Sequence, residues 1–196
     1  ATQEVELTVG IVFTAAAFLP FSNYVFDRPC GFAYTILGNI NASLTNSKVG
    51  INFRLVGSWL LKGYAEPISN NLRSIAGVLP QVLSTADGVG KAIHQWRKKV
   101  KANIVIVVVN SEDGCGLSDE RIERYDDETR AIVVVDSRCA ALIHSAAHEI
   151  GHVMGLRHDV NADANSKPFT FGHGYIHRGA QYKFMTIMGT RFTCPD

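Results

Sequence analysis

Five residues have types and spacing that suit one piece of chemistry: His148, Glu149, His152, Gly155 and His158, within the run His148-Glu149-Ile150-Gly151-His152-Val153-Met154-Gly155-Leu156-Arg157-His158. On an α-helix, residues four apart differ by about 40° of rotation and one turn of rise, so His148 and His152 project side by side and can share a metal ion. Glu149 lies beside them but is angled away. Its carboxylate can reach a water at the ion without taking a coordination position, as a general base must. Gly155 ends the helix, because glycine enters the left-handed conformation without a Cβ clash, and the chain turns to bring His158 back. Three neutral imidazoles leave a tetrahedral position of a Zn2+ ion open, which separates a catalytic site from a closed structural one. The expected chemistry is hydrolysis of a peptide bond, with zinc polarising the carbonyl and Glu149 moving a proton from water to the leaving amine. Composition alone produces such a pattern in roughly 3 of 100,000 chains of this make-up, so coincidence explains it poorly.

The other histidines have less context. His144 continues the four-residue spacing one turn upstream, too far down the helix to ligate, and is assigned to packing or solvent. His94 is assigned a structural role. His173 and His177 lie in a glycine-rich segment that can pass near the cleft.

These side chains need a scaffold, and the hydrophobic periods supply one. Val5, Leu7, Val9, Ile11 and Phe13 alternate with Glu6, Thr8, Gly10 and Val12, which predicts a strand with one buried face. Residues 31–47 carry apolar side chains at helical spacing. A second strand is expected from Val49 through Leu55 towards Leu61, then helices over 68–83 and 89–100. The latter ends in Arg97-Lys98-Lys99, cations that suit a helix C-terminus better than a binding patch. Ile104 to Val109 is a β-branched run of the kind covered on both faces in a parallel sheet. Residues 119–130 are dense in both signs of charge and read as a solvated excursion, before a last strand at Ile132 to Val135. Strands alternating with helices define an α/β fold. Gly88-Val89-Gly90-Lys91 is a helix start rather than a phosphate loop, because Thr85 and Ala92 occupy the positions where that motif requires Gly and Ser/Thr.

Composition excludes several classes. The chain has 196 residues, 46% hydrophobic and 19% charged, with a net charge of +1, which leaves no electrostatic surplus for nucleic acid or an anionic membrane. The apolar stretch Val9 to Phe21 falls short of the roughly 20 residues of a spanning helix. Residues 1–4 have no features of a secretory signal, which is expected to be absent from this chain. Four widely spaced cysteines favour two disulfides and a secreted or periplasmic protein; of three pairings, Cys115 with Cys139 and Cys30 with Cys194 is favoured. Asp126, Asp127 and Glu128 could hold structural Ca2+, although a solvated charge cluster is the commoner outcome. Residues 1–196 read as one domain and a monomer.

The segment 148–158 matches in full the His-Glu-x-x-His-x-x-Gly-x-x-His signature of the metzincin metalloproteases, and Asp159 is like their reprolysin (adamalysin) branch. Thr186-Ile187-Met188-Gly189 resembles the family's Met-turn, with Met188 the choice for the methionine beneath the histidines and Met185 the alternative. Val12-Phe13-Thr14, Arg54-Leu55-Val56-Gly57, Cys115-Gly116-Leu117 and Phe171-Gly172-His173-Gly174-Tyr175 follow in the order seen in bacterial reprolysin-like proteases, including peptidyl-Asp metallopeptidases. The resemblance implies a twisted five-stranded mixed sheet over the zinc helix, one antiparallel edge strand, and subdomains at 1–155 and 156–196. It places Gly116, Leu117 and Ser118 on that edge, where an extended polypeptide substrate adds as a further strand. It also implies a mature catalytic domain without an inhibitory-cysteine propeptide. Several branches carry a Tyr two residues after the Met of the turn; here Thr190 stands there, so Glu149 and zinc carry more of the stabilisation. Arg191, three residues past Met188, is a candidate partner for an acidic substrate side chain. Two rival readings keep the metal site: a metzincin-like binding module without proteolysis, and a zinc hydrolase acting on a non-peptide amide.

Overall fold

Alternating β-branched residues can bury both faces of a strand, and here they do. A computed structural model describes residues 4–21, 29–119 and 127–190. Strand β1 (Val5–Thr14) is followed by a 3-10 turn (Ala16–Phe21), helix α1 (Pro29–Asn46) and strand β2 (Ile51–Leu61). A hairpin of β3 (Ile68–Ser69) and β4 (Leu72–Arg73) precedes helices α2 (Ile75–Leu83) and α3 (Gly88–Val100). Next come β5 (Ile104–Val109), β6 (Gly116–Ser118), β7 (Ile132–Asp136), helix α4 (Ser145–Val153), and the hairpin β8 (Ile176–Arg178) and β9 (Lys183–Met185).

The five-stranded sheet has the order β2-β1-β5-β7-β6, parallel except for β6, which runs antiparallel to β7 at the edge. One face carries Val9, Ile11, Phe13, Ile106, Val108, Val133 and Val135 against α1 and α4 through Ile36, Ile40, Ala146 and Ile150. The other carries Val12, Val105, Val107, Ile132 and Val134 against α2 and α3 through Val78, Val82 and Ile93. The mixed five-stranded sheet and its antiparallel edge agree with what the metzincin resemblance implies. Among the described residues no helix is long and apolar enough to cross a membrane.

Several boundaries differ for physical reasons. Strand β1 buries both faces in its second half, not one: the bare Cα of Gly10 leaves room for the Trp96 indole, which would lie 2.8 Å from a Cβ there. Helix α1 starts at Pro29, a residue suited to a first helical position because its missing N–H would be unpaired there anyway. Strand β2 starts at Ile51 and shifts register opposite Val9 and Gly10, which pair with Leu55 and Gly57. The helix expected over 68–83 begins only at Ile75; Asn70 and Asn71 take φ of 50° and 64° and close a tight hairpin. Ile132–Asp136 is the last strand of the sheet but not of the chain, because β8 and β9 follow.

Cys115 and Cys139 form a disulfide with Cα atoms 5.4 Å apart, joining the residue before β6 to the turn after β7. Cys30 is exposed at the start of α1, and Cys194 lies outside the described residues. In the charged excursion, Asp126 is also outside them, while the Asp127 carboxylate accepts the Thr129 amide at 3.1 Å and caps the 3-10 turn Glu128–Arg130.

Candidate metal centre

Helix α4 sets two of the three imidazoles one turn apart, and its exit aims the third. Gly155 takes φ of 94°, with the Gly155 amide donating to His152 O at 2.9 Å and the Leu156 amide to Gly151 O at 2.8 Å. This is the left-handed closure expected of a glycine stop, and no Cβ fits there, since it would lie 2.8 Å from Phe169. His158 is then fixed by its neighbours. The Arg157 backbone bonds to Gly172 O and Gly174 N, and its buried guanidinium donates to Lys167 O at 2.9 Å and Asp163 Oδ2 at 3.1 Å. His173 Nδ1 donates to His158 O at 2.8 Å. Asp159, 2% exposed, accepts the Thr190 amide and hydroxyl, each at 3.1 Å.

The three Nε2 atoms stand 3.1 Å from one another in all three pairs. They are not hydrogen-bonded as a set, because His148 donates Nδ1–H to Ile187 O at 2.7 Å and His152 donates Nδ1–H to Leu156 O at 2.9 Å, which leaves lone pairs on both Nε2 atoms. Lone pairs converging at this distance repel until a cation sits between them. A triangle of that side puts its centre ~1.8 Å from each nitrogen, close enough that His148, His152 and His158 would hold one ion at bond lengths of about 2.0–2.1 Å. Among the described residues this is the one group of three or more His, Cys, Asp or Glu side chains that could hold a metal ion. Burial pushes the His152 imidazolium down to about 4, aided by the neighbouring His148, so its ring is neutral at physiological pH.

Glu149, 6% exposed, packs beneath the sheet edge. A Cβ on Gly116 would lie 2.4 Å from Glu149 Oε1 and 2.7 Å from its Cγ, so the bare Cα of Gly116 makes room for the carboxylate. Leu117 packs into the core between the sheet and α2, and Ser118 is buried. Gly116→Ala is expected to lower kcat about 10- to 100-fold, as a displacement of ~1 Å at a reacting group does, with metal content unchanged. Steady-state kinetics beside metal analysis checks this; unaltered kcat would contradict the packing argument.

Below the helix, Met188 is 7% exposed, with Sδ 2.5 Å from where a Gly151 Cβ would be. Met185, in contrast, is 38% exposed on β9. The Thr190 hydroxyl donates to Asp159 Oδ2. His144 is not on the helix: it precedes α4 in a left-handed conformation, φ 59°, exposed, with Nδ1 3.3 Å from Ser43 Oγ. His177 stacks on Phe184 at 5.1 Å within the β8–β9 hairpin, away from the ring cluster of α4. Arg191 lies outside the described residues. The positioning residue that the sequence did not reveal is Gly151, whose only local sign was a glycine inside a helix. His173 does meet His158, in the glycine-rich segment expected to pass near the cleft, and a Cβ on the neighbouring Gly174 would lie 2.5 Å from the Met188 carbonyl.

The geometry defines a metallopeptidase-like centre, and the comparisons with known proteins agree. The Metallo-peptidase family M12 profile matches residues 32–194. The chain belongs to this family. It is 32% identical over 149 residues to the peptidyl-Asp metalloendopeptidase of Stenotrophomonas maltophilia (strain R551-3), covering 76% of this chain and 34% of that protein. It is also 32% identical over 156 residues to the peptidyl-Asp metalloendopeptidase of Xanthomonas campestris pv. campestris, covering 80% and 34% respectively. The chain therefore spans about a third of the length of these relatives. A solved structure titled "Structure of a chaperone-substrate complex" shares the fold with TM-score 0.66 and 20% identity, over 96% of this chain and 31% of that one.

Proposed function

We propose that this chain is a zinc-dependent endopeptidase that cuts extended polypeptides beside an acidic residue. The observation that carries the reading is the convergence of three Nε2 atoms at 3.1 Å beside buried Glu149, which follows His148 on α4 and packs against Gly116 of the sheet edge. His148, His152 and His158 would hold the ion, a neutral nitrogen donor set that suits zinc. Zinc bound there supplies Lewis acidity and lowers the pKa of water towards neutrality. Glu149 accepts the proton of the attacking water and delivers it to the leaving amine. Gly116 to Ser118 pair with the substrate backbone as an added strand. Met188 supports the imidazoles from below, and Asp159 and Gly155 hold the segment that presents His158.

The printed names of the relatives support an acidic residue next to the cut, and Arg191 is the cation proposed to read it. The Cys115–Cys139 disulfide supports a secreted or periplasmic setting. Residues 1–155 and 156–196 would act as two subdomains of one monomeric catalytic domain. Metal analysis should find one zinc per chain, and a chelator should abolish cleavage of a denatured polypeptide, with zinc restoring it. Turnover that survives complete metal removal would refute the reading.

A further inference from the structure

On the face of the sheet opposite α4, a cavity of about 410 Å3 opens beside α3, with Lys91, His94, Arg97, Lys98, Lys101 and Glu128 among its walls. This volume is within the range of small-ligand sites. Lys91, His94 and Lys98 recur at intervals of three and four residues and so share one side of the helix, and Lys101 lines the same cavity just past its end. Among the described residues none of the three lysines is paired with a carboxylate. Stabilisation of a helix C-terminus accounts for Lys98 but not for Lys91, which sits in the first turn of α3, where a cation opposes the helix dipole.

Lys101 is stranger still. It closes α3 in the left-handed region, φ 58° and ψ 45°, with its amide donating to Lys98 O at 3.3 Å and the Ala102 amide donating to Arg97 O at 3.1 Å. Glycine is the residue that this closure favours. A lysine stands there instead, among the residues that line the cavity, and residues held in such conformations gather at functional sites. Beneath it, Arg97 is 8% exposed and donates Nε to Ala102 O at 3.0 Å, Nη2 to Asn103 O at 2.6 Å, and Nη1 to Glu128 O. Carbonyls take three of its five N–H groups and leave two. Burial holds the His94 imidazolium below its usual range, and the nearby Arg97 and Lys98 charges lower it further, against the opposing effects of its bond to Leu83 O and of Asp127. Among the lining residues four cations, Lys91, Arg97, Lys98 and Lys101, stand against one carboxylate, Glu128.

We propose that this cavity binds a tetrahedral oxyanion, phosphate or sulfate, with Lys91, Lys98 and Lys101 closing over the Arg97 guanidinium. The ligand is the free ion or a small molecule that carries such groups; the cavity has room for two. Charge-assisted hydrogen bonds from ammonium and guanidinium groups are the recognition chemistry. The site is independent of the proposed peptidase activity, so its test does not depend on turnover.

The test is calorimetric titration of the zinc-loaded protein with inorganic phosphate, sulfate and pyrophosphate at constant ionic strength, with thermal melts in the same buffers. Saturable binding at one site is expected, with a matching rise in Tm. Lys91→Glu and Lys98→Glu should each weaken it by about tenfold or more, the scale of one lost charge-assisted hydrogen bond. Tighter binding of pyrophosphate would identify a ligand with two anionic groups, and equal affinities a single oxyanion. Lys101→Gly separates a binding role from a structural one: it should raise Tm in anion-free buffer by relieving the left-handed lysine, yet weaken the anion. A melting shift that chloride reproduces, binding that survives in Lys91→Glu and Lys98→Glu, or unchanged affinity in Lys101→Gly would overturn the proposal.

Discussion

Glu149→Gln is expected to lower kcat by about 10²- to 10⁴-fold, the contribution of a positioned general base, while the zinc content stays at one ion per chain. The substitution keeps the volume of the side chain, so its packing against Gly116, where a Cβ would come within 2.4 Å of the carboxylate, is preserved. What disappears is the capacity to take a proton. Because Glu149 is not among the three converging ring nitrogens, metal binding should survive. The effect should fall on kcat with KM little changed, the pattern of an interaction made in the transition state and absent from substrate binding. Steady-state kinetics on a synthetic peptide beside metal analysis reads both quantities. Loss of zinc together with activity would reassign Glu149 to a structural role.

His152→Ala is expected to empty the site. It removes the most buried of the three imidazoles, 2% exposed, and leaves the Leu156 carbonyl without the Nδ1–H that it accepts at 2.9 Å. Removing a residue that merely supports a metal ligand costs 10- to 100-fold in affinity, so losing one of three direct ligands should weaken zinc by more than about 100-fold. Metal binding also stabilises the fold by mass action, and the melting temperature of the variant should no longer respond to added zinc. Differential scanning calorimetry with and without zinc makes the comparison. A variant that still gains stability from zinc at wild-type concentrations would move the metal to other ligands.

The metal centre was legible because most of it is local. His148, Glu149, His152 and Gly155 are arranged by one helix and its stop, whose geometry follows from residue spacing. What holds His158 could not be read in this way: His173, the Arg157–Asp163 pair and the bonds from Thr190 to Asp159 join segments that meet only in the folded chain. The sheet was similarly readable from β-branched runs, whereas Ile68, Leu72, Ile75 and Leu79 fit a helical period although the first two lie on the two strands of a hairpin and only the last two on α2. The Asn70-Asn71 pair overrode that period, because asparagine enters the left-handed turn at low cost. His144 shows the same limit, since its spacing continues the helix but its backbone does not.

The most direct test of the central claim is terminal mapping of a denatured protein mixture digested by the purified chain, with and without a zinc chelator, and beside Glu149→Ala. The account predicts new termini that vanish with the chelator and with the variant, and an Asp or Glu next to the cut. A zinc-loaded chain that generates no termini would contradict it and favour the binding module or the hydrolase of a non-peptide amide.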